Sequence, residues 1–166
     1  MAGAAALASC SSGSTQQPSP SPSTDAGSTD AGAGAGSGDF QPVTIEHALG
    51  SAEITSRPER IVTLGQGSTE TVIALGVIPV GVEEYAWGAD DSGHLPWVRE
   101  AVEKTGQELP ALVKGADTLS AEEIASLEPD LVLAPWSGIT QEQYDQLSAV
   151  APTVAYPEKA WTIEWH

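Results

Sequence analysis

Arg60 to Glu84 reads RIVTLGQGSTETVIALGVIPVGVEE, and its glycines and carboxylates are spaced almost as in a dinucleotide-binding turn. That fingerprint is G-x-G-x-x-G after an apolar strand, with the helix N-terminus left free for pyrophosphate and an acidic residue further on for the ribose. Gly65 and Gly67 fit, but the third position is Glu70, a first-turn carboxylate where the phosphate charge would have to sit. Glu83 has about the offset of the ribose-binding acid, although acidic strand ends are common. Nucleotide binding is therefore disfavoured. Gly65-Gln66-Gly67-Ser68-Thr69 carries its Ser in the wrong register for a G-x-S-x-G nucleophile elbow. Asp90-Asp91-Ser92-Gly93-His94 offers carboxylates and an imidazole, which suit several metals. A loop of that composition is more often a solvated turn, and no metal site is assigned. His47, His94 and His166 are far apart in sequence. An enzyme is not expected; a metal- or nucleotide-dependent α/β enzyme using Gly65 to Glu84 or Asp90 to His94 stays as the alternative class.

The aromatic residues carry a different kind of chemistry. Trp87, Trp136, Trp161 and Trp165, with Tyr85 and Tyr156, fall in loops or at strand ends, whereas Trp97 falls in the first turn of a helix, where packing is expected. In open α/β sheets, ligands bind beyond the carboxyl ends of the strands, where Trp87, Trp136 and Tyr156 should lie. Together these rings imply a wide cleft for a large, flat or partly apolar ligand. That each ring merely covers the sheet end is the competing reading.

Positioning those rings requires a scaffold, and the apolar periodicity supplies one. Pro42 to Ala48 and Ala52 to Thr55 alternate apolar and polar around a turn at Gly50-Ser51, which predicts an entry β-hairpin. Ile61 to Leu64, Ile78 to Val82, Asp130 to Ala134 and Thr153 to Tyr156 are apolar runs of the kind buried in parallel sheets. Between them lie helices over Thr69 to Leu75, closed by Gly76, and over Leu95 to Thr105. Two more follow capping boxes at Ser120-Ala121-Glu122-Glu123, ended by Pro129, and at Thr140-Gln141-Glu142-Gln143, running through Val150. Strands alternating with helices predict an α/β, three-layer, Rossmann-like lobe with a mostly parallel sheet.

Ahead of this lobe the chain changes character. Residues 11–39 form a Ser/Pro/Gly/Ala stretch without the apolar surface to offset the entropy of ordering, and they read as a disordered linker. Before it, Leu7-Ala8-Ser9-Cys10 resembles the bacterial lipobox, so residues 1–10 read as a processed lipoprotein signal with Cys10, the sole cysteine, as the lipidation site. The signal reads as truncated, because Met1 to Ser9 hold no Lys or Arg. Residues 40–166 are the foldable part. With 23 acidic against 6 basic residues the net charge is -17, which would be repelled by phosphate backbones and anionic lipids, so no nucleic-acid partner is expected. No run of 18 apolar residues exists, so membrane contact through the lipid anchor only is expected.

The order TIEHALGSAEITSRPERIVTLGQGSTETVIALGVIPVGV, then LSAEEIASLEPDLVLAPWSG, then LSAVAPTVAY, resembles the N-terminal lobe of the iron(III)-siderophore and cobalamin substrate-binding lipoproteins of ABC importers. That resemblance implies two α/β lobes joined by a long helix, of which this chain carries the first lobe and ends before the helix and the C-terminal lobe. It implies a monomeric receptor, lipid-anchored to the cell membrane on its extracytoplasmic face, that binds ferric siderophore and hands it to an ABC permease. The siderophore type stays open, as do cobalamin and haem. No cofactor other than the transported ligand is implied. Carried over by position, Gln66, Ser68, Tyr85, Trp87, Trp136 and Ser137 would line the cleft. Glu122 would pair with permease arginines, its competing reading being an ordinary first-turn acid, and Glu70 would have a structural or docking role. A non-functional truncated fragment is a further alternative.

Overall fold

The computed structural model describes residues 40–162, so Cys10, the linker, Trp165 and His166 lie outside the described residues. Ile61 to Gly65 and Leu131 to Trp136 are the apolar runs around which the rest assembles. They form adjacent parallel strands, β3 (Ile61–Gly65) and β6 (Leu131–Trp136), at the middle of a five-stranded sheet. The full element order begins with β1 (Val43–His47) and β2 (Gly50–Ile54), an antiparallel hairpin. After β3 come α1 (Ser68–Ala74), β4 (Gly81–Glu83), α2 (Pro96–Thr105) and β5 (Ala111–Val113). A 3-10 turn (Ala116–Thr118) leads to α3 (Ala121–Ala125), β6, α4 (Gln141–Ser148) and β7 (Thr153–Val154).

Strand order in the sheet is β5-β4-β3-β6-β7, all parallel. The chain thus winds outward from β3 in one direction through α1 and α2, then in the other through α3 and α4. Right-handed crossovers place these pairs on opposite faces, and the packing agrees. Val62, Leu64, Val132 and Ala134 meet Ile124 of α3 and Tyr144 and Leu147 of α4. Ile61 and Leu131, one residue out of phase, meet Val72 of α1 together with Ala52 and Ile54 of the hairpin. Period-2 alternation in β3 and β6 therefore assigns each side chain to a layer. Helix α2 closes over Ile73 and Ile78 through Leu95, Val98 and Val102.

Two buttresses tie the amino ends of the central strands together. The Arg60 side chain donates to the Leu127 and Glu128 carbonyls at the end of α3, at 2.5 and 2.9 Å. The Asp130 carboxylate accepts from the Glu59 and Arg60 amides at 2.8 and 2.9 Å. Otherwise unpaired helix-end carbonyls and strand-entry amides are thereby satisfied.

Several sequence expectations shift. The hairpin turn is Ala48-Leu49, and Gly50 opens β2 opposite His47. Ile78 to Val80 precede β4 rather than forming its start; Pro79, with no N–H, cannot donate to a ladder. Strand β5 was not expected at all: three residues, only one fully buried, give no readable run. At α4 the capping box forms in both directions between Thr140 and Gln143. At α3 only Ser120 accepts, from the Glu123 amide at 3.2 Å.

Candidate functional site

Winding reverses between β3 and β6, and their carboxyl ends border the crevice where open α/β sheets take ligands. Gly65 has φ +82°, and a Cβ there would lie 2.2 Å from the Trp136 carbonyl oxygen, so only glycine lets the two strand ends close up. Its amide donates to Glu83 Oε2 at 2.5 Å. Glu83, considered above as a ribose ligand, instead holds the β3–α1 turn, and the amide that a pyrophosphate would need is occupied. Pairing slips here as well: Thr63 faces Leu133 but Gly65 faces Trp136, which leaves one extra residue in β6. Pro135, lacking an N–H, sits at that bulge, a feature that re-aims the side chains beside it.

Trp136 lines a hollow of about 440 Å³ with predominantly apolar walls. Gln66 from the β3–α1 turn, Ser68 and Val72 from α1, Leu75 at its end, and Pro135 share those walls. Leu75 is 77% exposed. Trp136 also packs edge to face on Trp161, with ring centroids 5.4 Å apart and planes at 83°. Trp161 in turn walls a second hollow of about 260 Å³, where Glu83, Glu84, Lys114 and Asp117 line the carboxyl ends of β4 and β5. The indole reaches this position because residue 138 is glycine: a Cβ there would meet the ring at 2.6 to 2.8 Å. Lys114 is ion-paired to Glu84, which raises its pKa.

Tyr85 and Trp87 form another ring pair, centroids 5.9 Å apart, with Trp87 62% exposed. The Tyr85 hydroxyl is buried and makes no hydrogen bond of good geometry. Burial, and then the adjacent Glu83 and more distant Glu70 carboxylates, push its ionisation well above the usual tyrosine range, so it stays a neutral phenol.

The two serines are less available than their positions suggested. Ser68 is buried and donates to the Leu64 carbonyl at 2.9 Å; Ser137 is buried and donates to Ala134 at 2.8 Å. Each hydroxyl proton is spent on shaping its turn, which leaves only oxygen lone pairs to offer. Gln66 is exposed. Trp97 is not packed as expected: it is 51% exposed, and its indole N–H donates to Glu70 Oε1 at 3.0 Å. Glu70 thus bridges α1 to α2. Glu122 is exposed in the first turn of α3. Trp161 reads from the sequence as one of several loop rings but not as a lining residue, because nothing local ties residue 161 to residue 136.

The Asp90 to His94 loop is internally committed. Asp90 accepts from the Ser92 hydroxyl at 2.5 Å, the Ser92 amide at 2.8 Å and Arg99 Nε at 2.5 Å. Those bonds, led by the Ser92 hydroxyl, hold its carboxyl down at about 2. His94 Nε2 faces the Pro110 carbonyl at 2.9 Å. Among the described residues no group of three or more His, Cys, Asp or Glu is arranged to hold a metal ion, and no helix is long and apolar enough to cross a membrane.

A doubly wound lobe with rings and hollows at the switch point is the architecture of a solute-binding domain. Residues 61–165 match the family model described as periplasmic binding protein, and the chain belongs to that family, which binds solutes and is not a family of enzymes. The probable siderophore-binding lipoprotein YfiY of Bacillus subtilis is 37% identical over 119 residues, 67% of this chain and 32% of that protein. PiaA of Streptococcus pneumoniae, solved in complex with ferrichrome, is 37% identical with a TM-score of 0.68, covering 74% of this chain and 41% of its own. A periplasmic solute binding protein of Mycobacterium smegmatis is 34% identical with a TM-score of 0.63, covering 74% and 42%. The chain spans about a third of the length of the curated relatives it matches.

Proposed function

We propose that the chain is the N-terminal ligand-binding lobe of a receptor that captures a ferric siderophore and delivers it to an ABC import permease. The observation that carries this reading is the edge-to-face pair Trp136 and Trp161 standing between two hollows at the switch point of the sheet. A ferric siderophore is a large, compact complex, and one whose chelating arms present methylene or ring surface can be held by ring faces and an apolar trough without hydrogen-bond stringency. Gln66, Tyr85, Trp87 and Trp136 contact the cargo, and Ser68 and Ser137 shape the turns that carry Gln66 and Trp136. Glu122 docks the lobe on permease arginines, and a lipid on Cys10 retains the receptor, as a monomer, on the extracytoplasmic face of the cell membrane. Residues 11–39 act as the tether.

Tryptophan fluorescence titrated with ferrichrome tests the reading: saturable quenching is expected, with haem, cobalamin and NAD as comparators. NAD binding without any siderophore response would refute it. Cys10→Ser should release the protein from the membrane fraction, and unchanged partitioning would refute the anchor.

A further inference from the structure

The charge around the crevice narrows the cargo class, and this step rests on the siderophore-receptor reading above. The apolar hollow beside α1 has no ionisable residue in its wall. The second hollow has three carboxylates, Glu83, Glu84 and Asp117, against the single ammonium of Lys114. Lys114 is already paired with Glu84. Four of the five remaining cations among the described residues are engaged or lie at the amino ends of the strands. Arg60 donates to carbonyls at the amino ends of the strands, and Arg57 precedes that same end of β3. Arg99 is held by Asp90 and Glu103, and Lys104 by Glu100. Lys159, exposed past the carboxyl end of β7 and two residues before Trp161, lies on the crevice side but belongs to neither hollow wall. No guanidinium fork is therefore offered to an anionic complex from this side.

We infer that this lobe selects ferric complexes of zero or positive net charge, with trihydroxamates as the matching class, and disfavours trianionic tris-catecholates and anionic carboxylate complexes. Like charges brought together on binding act as a rejecting element. Exposed ring faces such as Trp87 and Trp161 add to the selection, because they attract a cationic substituent and gain nothing from a carboxylate. At roughly 10 Å in a solvated cleft, each carboxylate weakens binding of a trianion by roughly five- to ten-fold.

Competition among three probes tests this: ferrichrome, which is neutral; ferrioxamine B, which carries a pendant ammonium; and ferric enterobactin, which is trianionic. Ferrioxamine B should bind at least as well as ferrichrome, and both at least ten-fold more tightly than ferric enterobactin at low salt. The gap should narrow as salt rises. The double variant Glu84→Gln, Asp117→Asn should raise the enterobactin-to-ferrichrome affinity ratio several-fold, and a ratio taken on one sample is insensitive to the fraction folded. Equal binding of the neutral and trianionic probes, or an unchanged ratio in the variant, would overturn the charge inference while leaving the receptor reading intact. Failure of all three probes to bind would overturn the receptor reading and the charge inference with it.

Discussion

His47 shows how one residue can set the pH range of the lobe. Its ring is buried between the hairpin and α4, edge to face with Tyr144 at 5.0 Å, and Nδ1 accepts from the Leu49 amide at 3.3 Å. Nε2 has no hydrogen-bond partner, although the Thr153 backbone lies near enough to favour its proton. Burial dominates and lowers the His47 pKa below its ordinary 6.5; Thr153 and Glu46 oppose it less strongly. A depressed histidine binds its proton more weakly folded than unfolded, so its contribution is complete above 6.5 and is lost as pH falls through the folded value. Thermal melts should therefore be flat above neutrality and fall progressively below about pH 6.5. His47→Phe, which keeps the ring contact, should lack that component. A variant with the same acid limb as the parent would show that other groups cause it.

At the scale of elements, the end of β6 decides where the rings stand. The Pro135 bulge, the close approach at Gly65 and the bare Cα of Gly138 together allow Trp136 and Trp161 to meet. Gly138→Ala should displace Trp161 and abolish the coupled-indole signal in circular dichroism, at a stability cost of about 1 kcal/mol. Persistence of that signal would mean the two rings do not depend on residue 138. The sequence made the central strands legible, because β3 and β6 are continuous apolar runs and the helices beside them carry caps. It was blind to β5, whose three residues have no period. It misplaced the hairpin turn, because Gly50 reads as a turn residue. What requires glycine there is a φ of +151°, with the Tyr144 hydroxyl also 2.9 Å from where a Cβ would be. Trp97 looked packed from its helix position, yet its polar edge is claimed by Glu70, 27 residues earlier. Rings in loops and at strand ends were legible, and of those expected in the cleft Trp136 lines a hollow, whereas the serine hydroxyl bonds and the Trp136–Trp161 contact depend on backbone geometry that no local pattern encodes.

At the scale of the whole molecule, the proposed cargo and docking residues share one side of the lobe. The ring-lined crevice lies at the carboxyl ends of the strands; Glu122 starts α3, whose far end is tied to the amino end of β3 by Arg60, so Glu122 lies toward that same carboxyl-end side while lining neither hollow. Glu122→Ala should impair siderophore uptake by cells while leaving ligand affinity within about two-fold, since an exposed carboxylate that lines neither hollow contributes little to binding energy. A matching loss of affinity would place Glu122 in the cleft. The most direct test of the central claim is an amide and indole NMR spectrum of the protein titrated with ferrichrome, whose ferric ion broadens nearby protons. The account predicts saturable broadening of the Trp136 and Trp161 indole N–H signals, reversed by excess gallium-substituted ferrichrome. Binding that left both indoles sharp, or no binding at all, would contradict it.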